Sequence, residues 1–509
     1  MRFNKKNPAC AASLTFVLAV PAIAADGAGE GFLEGSTFKV LNRNIYFSQD
    51  FRNGDSALNP QTGEKKTRRS EWAHGVIATF ESGFTPGVVG FGLDVRGQFG
   101  IKLDGGDGLV GNGMAGNGIV PRRGYNFDGK PKDEFGRVDV ALKMRLFDDT
   151  ELRYGDVRPL TPVVNTSDIR LLPQSFRGGT VMNTSIKGLT LQAGKLESNA
   201  DRTATAHRGD LGTAYGGRFK EADDFVYFGA DYQLNDRLRL RLHHGRLDNV
   251  WNQAFLGVDW NQPLREGLKL RAGAKYYRTR DTGKSLMGDI NNDSWSANVG
   301  LDVGAHSFTV ARTHIDGDTP FDYVWNTWDF YLDSFSQSSD FNSPNERVWM
   351  ARYDYDFAGL GIPGLSFTTR YMRGTDIDGT KAGPHYAAYQ NTRDGRHWEN
   401  DIWLGYVVQS GPAKDLSFRI WHATHRVSGD HVAEANLDEL RLIFEYPRLQ
   451  PVLNRPLLLQ AHPLQELFVP AVRRPSQASA LQLLVDGQAA GSRACVLACS
   501  AAGISQSTG

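Results

Sequence analysis

The sequence predicts an all-β fold, an antiparallel barrel that crosses a membrane with strands rather than helices. Three observations carry the prediction. Apolar and charged residues alternate with period two in segment after segment, connections alternate between very short and long, and the N-terminus reads as an export signal.

Alternation is cleanest at residues 236–243, where Arg237, Arg239, Arg241 and His243 interleave with Leu238, Leu240 and Leu242. Successive strand side chains point to opposite faces, so one face is basic and the other aliphatic. Guanidiniums two residues apart lie roughly 7 Å from one another and repel unless water or anions intervene. The pattern returns at residues 137–147, with Val138, Val140 and Leu142 on one face, and at 268–277, with Leu268, Leu270 and Tyr276. A soluble sandwich would bury the aliphatic face; a membrane barrel would turn it to lipid and the cations to a wet lumen.

Composition narrows the classes. The 509 residues carry 57 basic and 57 acidic side chains, a formal net charge of zero, which argues against nucleic acid as a partner. The 56 glycines, 28 Phe, 17 Tyr and 10 Trp suit a twisted β protein. Beyond the N-terminus there is no run of about 18 apolar residues, the length a membrane helix needs. Residues 1–24 read as a signal peptide: Arg2, Lys5 and Lys6 precede the apolar stretch 11–20, and Ala22-Ile23-Ala24 is the small-residue cleavage site. Cys10 lies before that stretch and Cys495 and Cys499 near the C-terminus, so residues 25–447 have no cysteine framework.

Strand-like segments run from Thr37 to Pro447, roughly 18 of them, as in a large outer-membrane barrel. Short connections include 85–87, 148–150, 187–188 and 235–236, all with turn chemistry. Long ones include 52–70, 104–134, 158–177, 200–222, 317–346 and 375–395. A soluble sandwich rarely places a long loop at every second connection. The last strand is expected at 437–447, with Leu440, Leu442 and Phe444 outward and Arg441 and Ile443 inward. Residues 448–509, rich in Leu, Ala, Gln, Ser and Pro without sustained alternation, read as an atypical, disordered tail.

Motifs for chemistry are absent or out of context. GNGMAG at 111–116 matches a dinucleotide pattern but lies in a Gly/Asp/Asn-rich loop without the strand and helix that the motif requires. DGGDG at 104–108 is a single weak calcium-like copy. Neither His-Glu-x-x-His nor Gly-x-Ser-x-Gly occurs. No enzyme, cofactor or metal is therefore expected. A secreted β-rich hydrolase or carbohydrate-binding protein, with its arginines outside, is the alternative from another class.

Two loops point to a pore. Residues 156–177 are stiffened by Pro159, Pro162 and Pro173 and carry Arg158, Asp168, Arg170 and Arg177; they suit a plug folded into a lumen or, equally, a solvated surface loop. Residues 317–346 give an acidic, aromatic counterpart, with Asp318, Asp322, Tyr323, Asp329, Asp333 and Asp340. A positive wall facing such a loop would set a transverse field that orients small carboxylates.

At these loops the chain resembles the OprD family of outer-membrane carboxylate channels. The carrying stretches are RNIYF at 43–47, FESGFTPG at 80–87, RLLPQ at 170–174, PFDY at 320–323 and SDFN at 339–342. GTDIDGT at 374–380, YVVQSGPAKDLSFR at 406–419 and RLIFEYP at 441–447 complete the set in order. The resemblance, over about residues 31–447, implies a monomeric 18-stranded antiparallel transmembrane β-barrel with inward-folded constriction loops. It implies passive uptake of small carboxylate solutes along a basic ladder resembling Arg43, Arg69, Arg170, Arg370, Arg419 and Arg441. The opposing side resembles Tyr215, Tyr323 and Asp340, with Asp329 a looser match. Outer-membrane lipid, lipopolysaccharide and the barrel-assembly machinery are the implied partners. Gln49, Gly405 and Trp421 stand where the family carries cations, and Ser338 where it carries a tyrosine. That thinner, more aromatic ladder shifts the expected substrate from basic amino acids toward aromatic or other monocarboxylates.

Overall fold

The structure, a computed structural model, describes residues 31–58, 65–105, 118–120, 132–207, 209–325, 327, 330–428 and 433–451. The chain divides into two compact units, Met1–Leu453 and Asn454–Gly509, and the described residues all belong to the first. The expected signal peptide, the 111–116 loop, Asp329 and nearly all of the predicted tail lie outside them.

The wall is made of 18 antiparallel strands. They are β1 (Thr37–Phe51), β2 (Arg68–Glu81), β3 (Val89–Gly105), β4 (Glu134–Leu146), β5 (Thr150–Val157) and β6 (Ser175–Asn183). Next come β7 (Leu189–Ala200), β8 (Phe225–Asn235), β9 (Leu238–Leu247), β10 (Trp251–Arg265), β11 (Leu268–Asp281) and β12 (Asn291–Val303). The last are β13 (His306–Gly317), β14 (Arg347–Asp356), β15 (Leu365–Ile377), β16 (Gly395–Val407), β17 (Ser417–Ser428) and β18 (Leu437–Pro451). Each strand pairs with the next, and β18 pairs with β1 from Thr37↔Pro451 to Phe51↔Leu437, so no edge remains. The final strand runs past the expected end at Pro447, because β1 starts at Thr37 and offers backbone partners as far as Pro451.

The alternation resolves as lipid outside and lumen inside. Val138, Val140 and Leu142 of β4 are exposed, while Arg137, Asp139, Ala141 and Lys143 between them are buried. Leu242 of β9 is 63% exposed, and Arg241 beside it points inward, its guanidinium 5.8 Å from the ring of Tyr331. Trp72, Trp295, Trp349, Tyr276 and Tyr371 face outward among these apolar side chains, amphipathic rings of the kind that mark membrane interfaces.

The lumen is less wet than alternation alone implies. Ile45, Phe47 and Ile443 face inward and pack on Leu171 and Leu172, which belong to the connection after β5. A larger apolar cluster joins inward-facing Phe255 and Tyr277 to Val163, Phe321, Phe330 and Leu332 of the infolded loops. The interior therefore has a core of its own, built between wall and loops.

Candidate functional site: a narrowed lumen with a cationic wall

The loop between β5 and β6 folds inward. Thr166 donates to the Pro159 carbonyl through both its amide (2.9 Å) and its hydroxyl (2.7 Å), closing a small hairpin in which Leu160–Thr161 pairs with Val164–Asn165. The Tyr277 hydroxyl on β11 donates to the Pro162 carbonyl at 2.9 Å. At the loop's far end Leu171 rests on Gly75 of β2 and Gly100 of β3, where an added Cβ would come within about 3 Å of its side chain. A contact with β11 at one end and with β2 and β3 at the other carries the loop across the lumen. The plug alternative for this segment, rather than a solvated surface loop, is the one seen.

The 318–346 loop is tied down as firmly. Asp333 takes Lys275 Nζ at 2.5 Å and Asn298 Nδ2 at 2.9 Å, the backbone amides of Ser338 and Ser339 both donate to Glu399 at 2.9 Å, and Trp403 Nε1 donates to the Gln337 side chain at 2.7 Å. The loop from β7 to β8 joins it through an isolated bridge, Thr213↔Val324.

Strand register stacks most of the expected cations beside the β1–β18 seam. One row across neighbouring strands reads Arg370, Asp401, Ala423, Glu439, Gln49 and Arg69. Two residues along, the row is Trp403, Trp421, Arg441, Phe47 and Glu71. The next holds Gly405, Arg419, Ile443 and Ile45, and the last Ser417, Glu445, Arg43 and Gly75. Arg170 enters from the first infolded loop and stacks on Phe47 at 5.2 Å, with Arg441 on the same ring at 5.4 Å. Arg419 lies 5.4 Å and Arg441 6.0 Å from the Trp421 ring, and Arg370 lies 4.9 Å from Trp403.

These guanidiniums are not bare. Arg43 binds Glu445 (2.6 Å) and Asp168 (2.7 Å), Arg370 binds Asp401 through two nitrogens (2.5 and 3.0 Å), Arg441 binds Glu439 (2.6 Å), and Arg419 reaches Glu445. Arg370 and Arg441 also donate to the Phe335 and Gln337 carbonyls of the second infolded loop, both at 2.7 Å. Gln49 donates to Glu439 and accepts from Arg69. Arg43, Arg170, Arg370 and Arg441 are buried, whereas Arg69 and Arg419 are half-buried. Arg170 makes no ion pair among the described residues; burial, then repulsion from Arg441 and Arg202, lowers its pKa well below the ordinary arginine value.

The opposing group also assembles. Tyr323 donates to Asp340 at 2.6 Å, and Tyr215 donates to Asn342 at 2.7 Å and reaches Asp340 at 3.3 Å. Asp322 accepts the Tyr323 amide at 2.8 Å and the Tyr386 hydroxyl at 3.2 Å, and burial pushes its pKa up to about 7. Arg202 is within electrostatic reach of Arg441 and of Tyr323 and Asp340. Sequence reasoning missed Arg202, Glu445 and Asp401. Glu439 was findable, since it shares the inward face with Arg441 two residues on.

A closed 18-stranded wall, two loops drawn across its lumen and a cation-lined seam decide the comparison with known proteins. Residues 30–449 match the profile of outer membrane porins of the OprD family. The chain belongs to the OprD family. It is 37% identical over 448 residues to Porin D of Pseudomonas aeruginosa, covering 86% of this chain and 96% of that protein. It is similar to the crystal structure of Pseudomonas aeruginosa OpdK with vanillate (TM-score 0.71, 34% identity, 82% of this chain and 100% of that one). Pseudomonas aeruginosa OccK9 (OpdG) is similar at TM-score 0.73 and 35% identity, with 83% and 100% covered. An OprD-family porin is a protein of the bacterial outer membrane, and membership sets aside the hydrolase and carbohydrate-binding alternative.

Proposed function

We propose that this OprD-family porin passes small carboxylate-bearing solutes by facilitated diffusion, guided by Arg43, Arg69, Arg170, Arg370, Arg419 and Arg441, with aromatic monocarboxylates favoured over basic amino acids. The observation that carries the reading is the alternation of guanidinium and aromatic ring down the seam, from Arg170 and Arg441 on Phe47 to Arg441 and Arg419 on Trp421. A guanidinium offers a planar fork of donors matched to a carboxylate, and the half-buried Trp421 ring offers a face to the solute's own ring. OpdK, with vanillate in its crystal structure, is one relative whose ligand has this shape.

The internal carboxylates fit transport better than storage. At Arg419 an entering solute competes with Glu445 for the guanidinium, so one carboxylate is exchanged for another and the solute is held weakly enough to release. Arg69 and Arg419, the half-buried members, make direct contact; the buried ones supply field and hold the wall. Tyr215, Tyr323 and Asp340 form the far side of the transverse field. The protein works as a monomer, exported by residues 1–24 and inserted by the barrel-assembly machinery into a lipopolysaccharide-bearing membrane. It passes solutes without converting them.

Arg419→Ala tests this. Liposome swelling with benzoate or vanillate should slow several-fold while swelling with a neutral sugar is unchanged; equal loss of both would sink the ladder reading. Arginine run alongside separates the two substrate branches.

A further inference from the structure

We propose that His397, His425 and Glu434 form a site for a divalent transition cation of the Zn2+ class that fastens the second infolded loop to the wall. His397 Nδ1 and His425 Nε2 are 3.0 Å apart, and Glu434 Oε2 lies 3.1 Å from the first and 3.0 Å from the second. The histidines come from neighbouring strands β16 and β17 and are buried; Glu434 comes from the connection before β18 and keeps 18% of its side chain exposed, an entry path.

Hydrogen bonding on the far side of each ring sets what faces the centre. His425 Nδ1 is 2.8 Å from the Ala435 carbonyl, which can only accept, so its proton is on Nδ1 and its Nε2 lone pair points inward. His397 Nε2 is 2.6 Å from the buried carboxylate of Glu346, which draws the proton to Nε2 and turns the Nδ1 lone pair to the same point. Two imidazole lone pairs and a carboxylate oxygen therefore converge. Without an ion, a proton would have to be added to His397 Nδ1 to bridge these atoms and could lie on only one edge of the triangle at a time; a cation in its place satisfies all three. Tetrahedral zinc bonds of about 2.0–2.1 Å place ligand atoms roughly 3.3 Å apart, so a slight outward movement of the side chains admits the ion and leaves a fourth position for water.

The outer contacts are those of a metal site. Glu346 and the Ala435 carbonyl orient the two rings, and Ser339 Oγ donates to the other oxygen of Glu434 at 2.8 Å. Ser339 and Glu346 belong to the same loop as Asp340, and Phe341 stacks on His397 at 4.0 Å. Filling the site would lock that side of the constriction to β16 and β17. A second triad, Asp139, Asp156 and His207, lacks this character: Arg137 and Arg96 already neutralise Asp139 and Arg177 faces Asp156, so a cation would be repelled.

The test uses the full chain purified in detergent, stripped with EDTA and titrated with Zn2+ by calorimetry and with Co2+ by visible absorption. A single equivalent of Zn2+ should bind, with the d–d bands of a low-coordinate cobalt site. His425→Ala should abolish binding, and Glu434→Gln, whose amide keeps the Ser339 contact and hence the fold, should weaken it roughly tenfold or more. His207→Ala should bind as the wild type does. Wild-type protein that migrates as a folded barrel yet takes up no stoichiometric Zn2+ would overturn the proposal, as would a Glu434→Gln variant of undiminished affinity.

Discussion

Asp340 is where acidity reaches the constriction most directly. Enclosure by protein, aided by the nearby Glu434 charge, pushes its pKa up to about 6 against the hydrogen bonds of Tyr323 and Tyr215. A carboxyl raised above its unfolded value is penalised when ionised, and the penalty is relieved as pH falls through about 6. The far side then loses a negative charge. Carboxylate current in planar bilayers should therefore rise as pH drops through about 6, and Asp340→Asn should show the higher current at neutral pH with no step; a step surviving in the variant would assign it elsewhere. At this scale the site was partly legible. Tyr215 and Tyr323, named from the resemblance, both hydrogen-bond to Asp340, but Glu445, which binds Arg43 from 402 residues away, needs the strand register to be seen.

At the scale of elements, Gly75 and Gly100 decide how deeply a loop sits. Both lie on inward faces under Leu171, and an added Cβ at Gly75 would meet Leu171 Cγ at 3.0 Å and the Leu171 carbonyl at 3.3 Å. Contacts that close force one partner to give. Since the wall is hydrogen-bonded on both sides of β2, the loop is the part that moves, and it moves toward the open lumen. Gly75→Val should lower single-channel conductance while the barrel still shows heat-modifiable migration; unchanged conductance would show that the loop does not line the narrowest point. The strands themselves were readable from period two, because lipid demands an apolar outer face at every second position. The apolar inner core was not. Ile45 and Phe47 break the polar-in pattern and join Ile443, whose inward face was expected, because infolded loops, invisible to a local period, cover them.

For the whole molecule, every pairing that closes the wall lies between Thr37 and Pro451. A chain ending at Leu453 should thus insert, resist unfolding in detergent and conduct like the longer one; loss of the folded band on gels would show that residues 454–509 contribute to assembly. The 18-strand count and the rhythm of long and short connections were visible in the sequence. Which strands become neighbours around the lumen was visible only once first met last.

That meeting also bears on the proposed selectivity. Arg43, Phe47 and Gln49 arrive on the first strand, and Glu439, Arg441 and Glu445 on the final one. With the two ends unpaired, the proposed cationic path is split between opposite margins of an open sheet, and neither margin alone carries the whole of it. On the proposed reading, discrimination therefore depends on a closed β1–β18 seam, and an unclosed wall would be a hole without a preference.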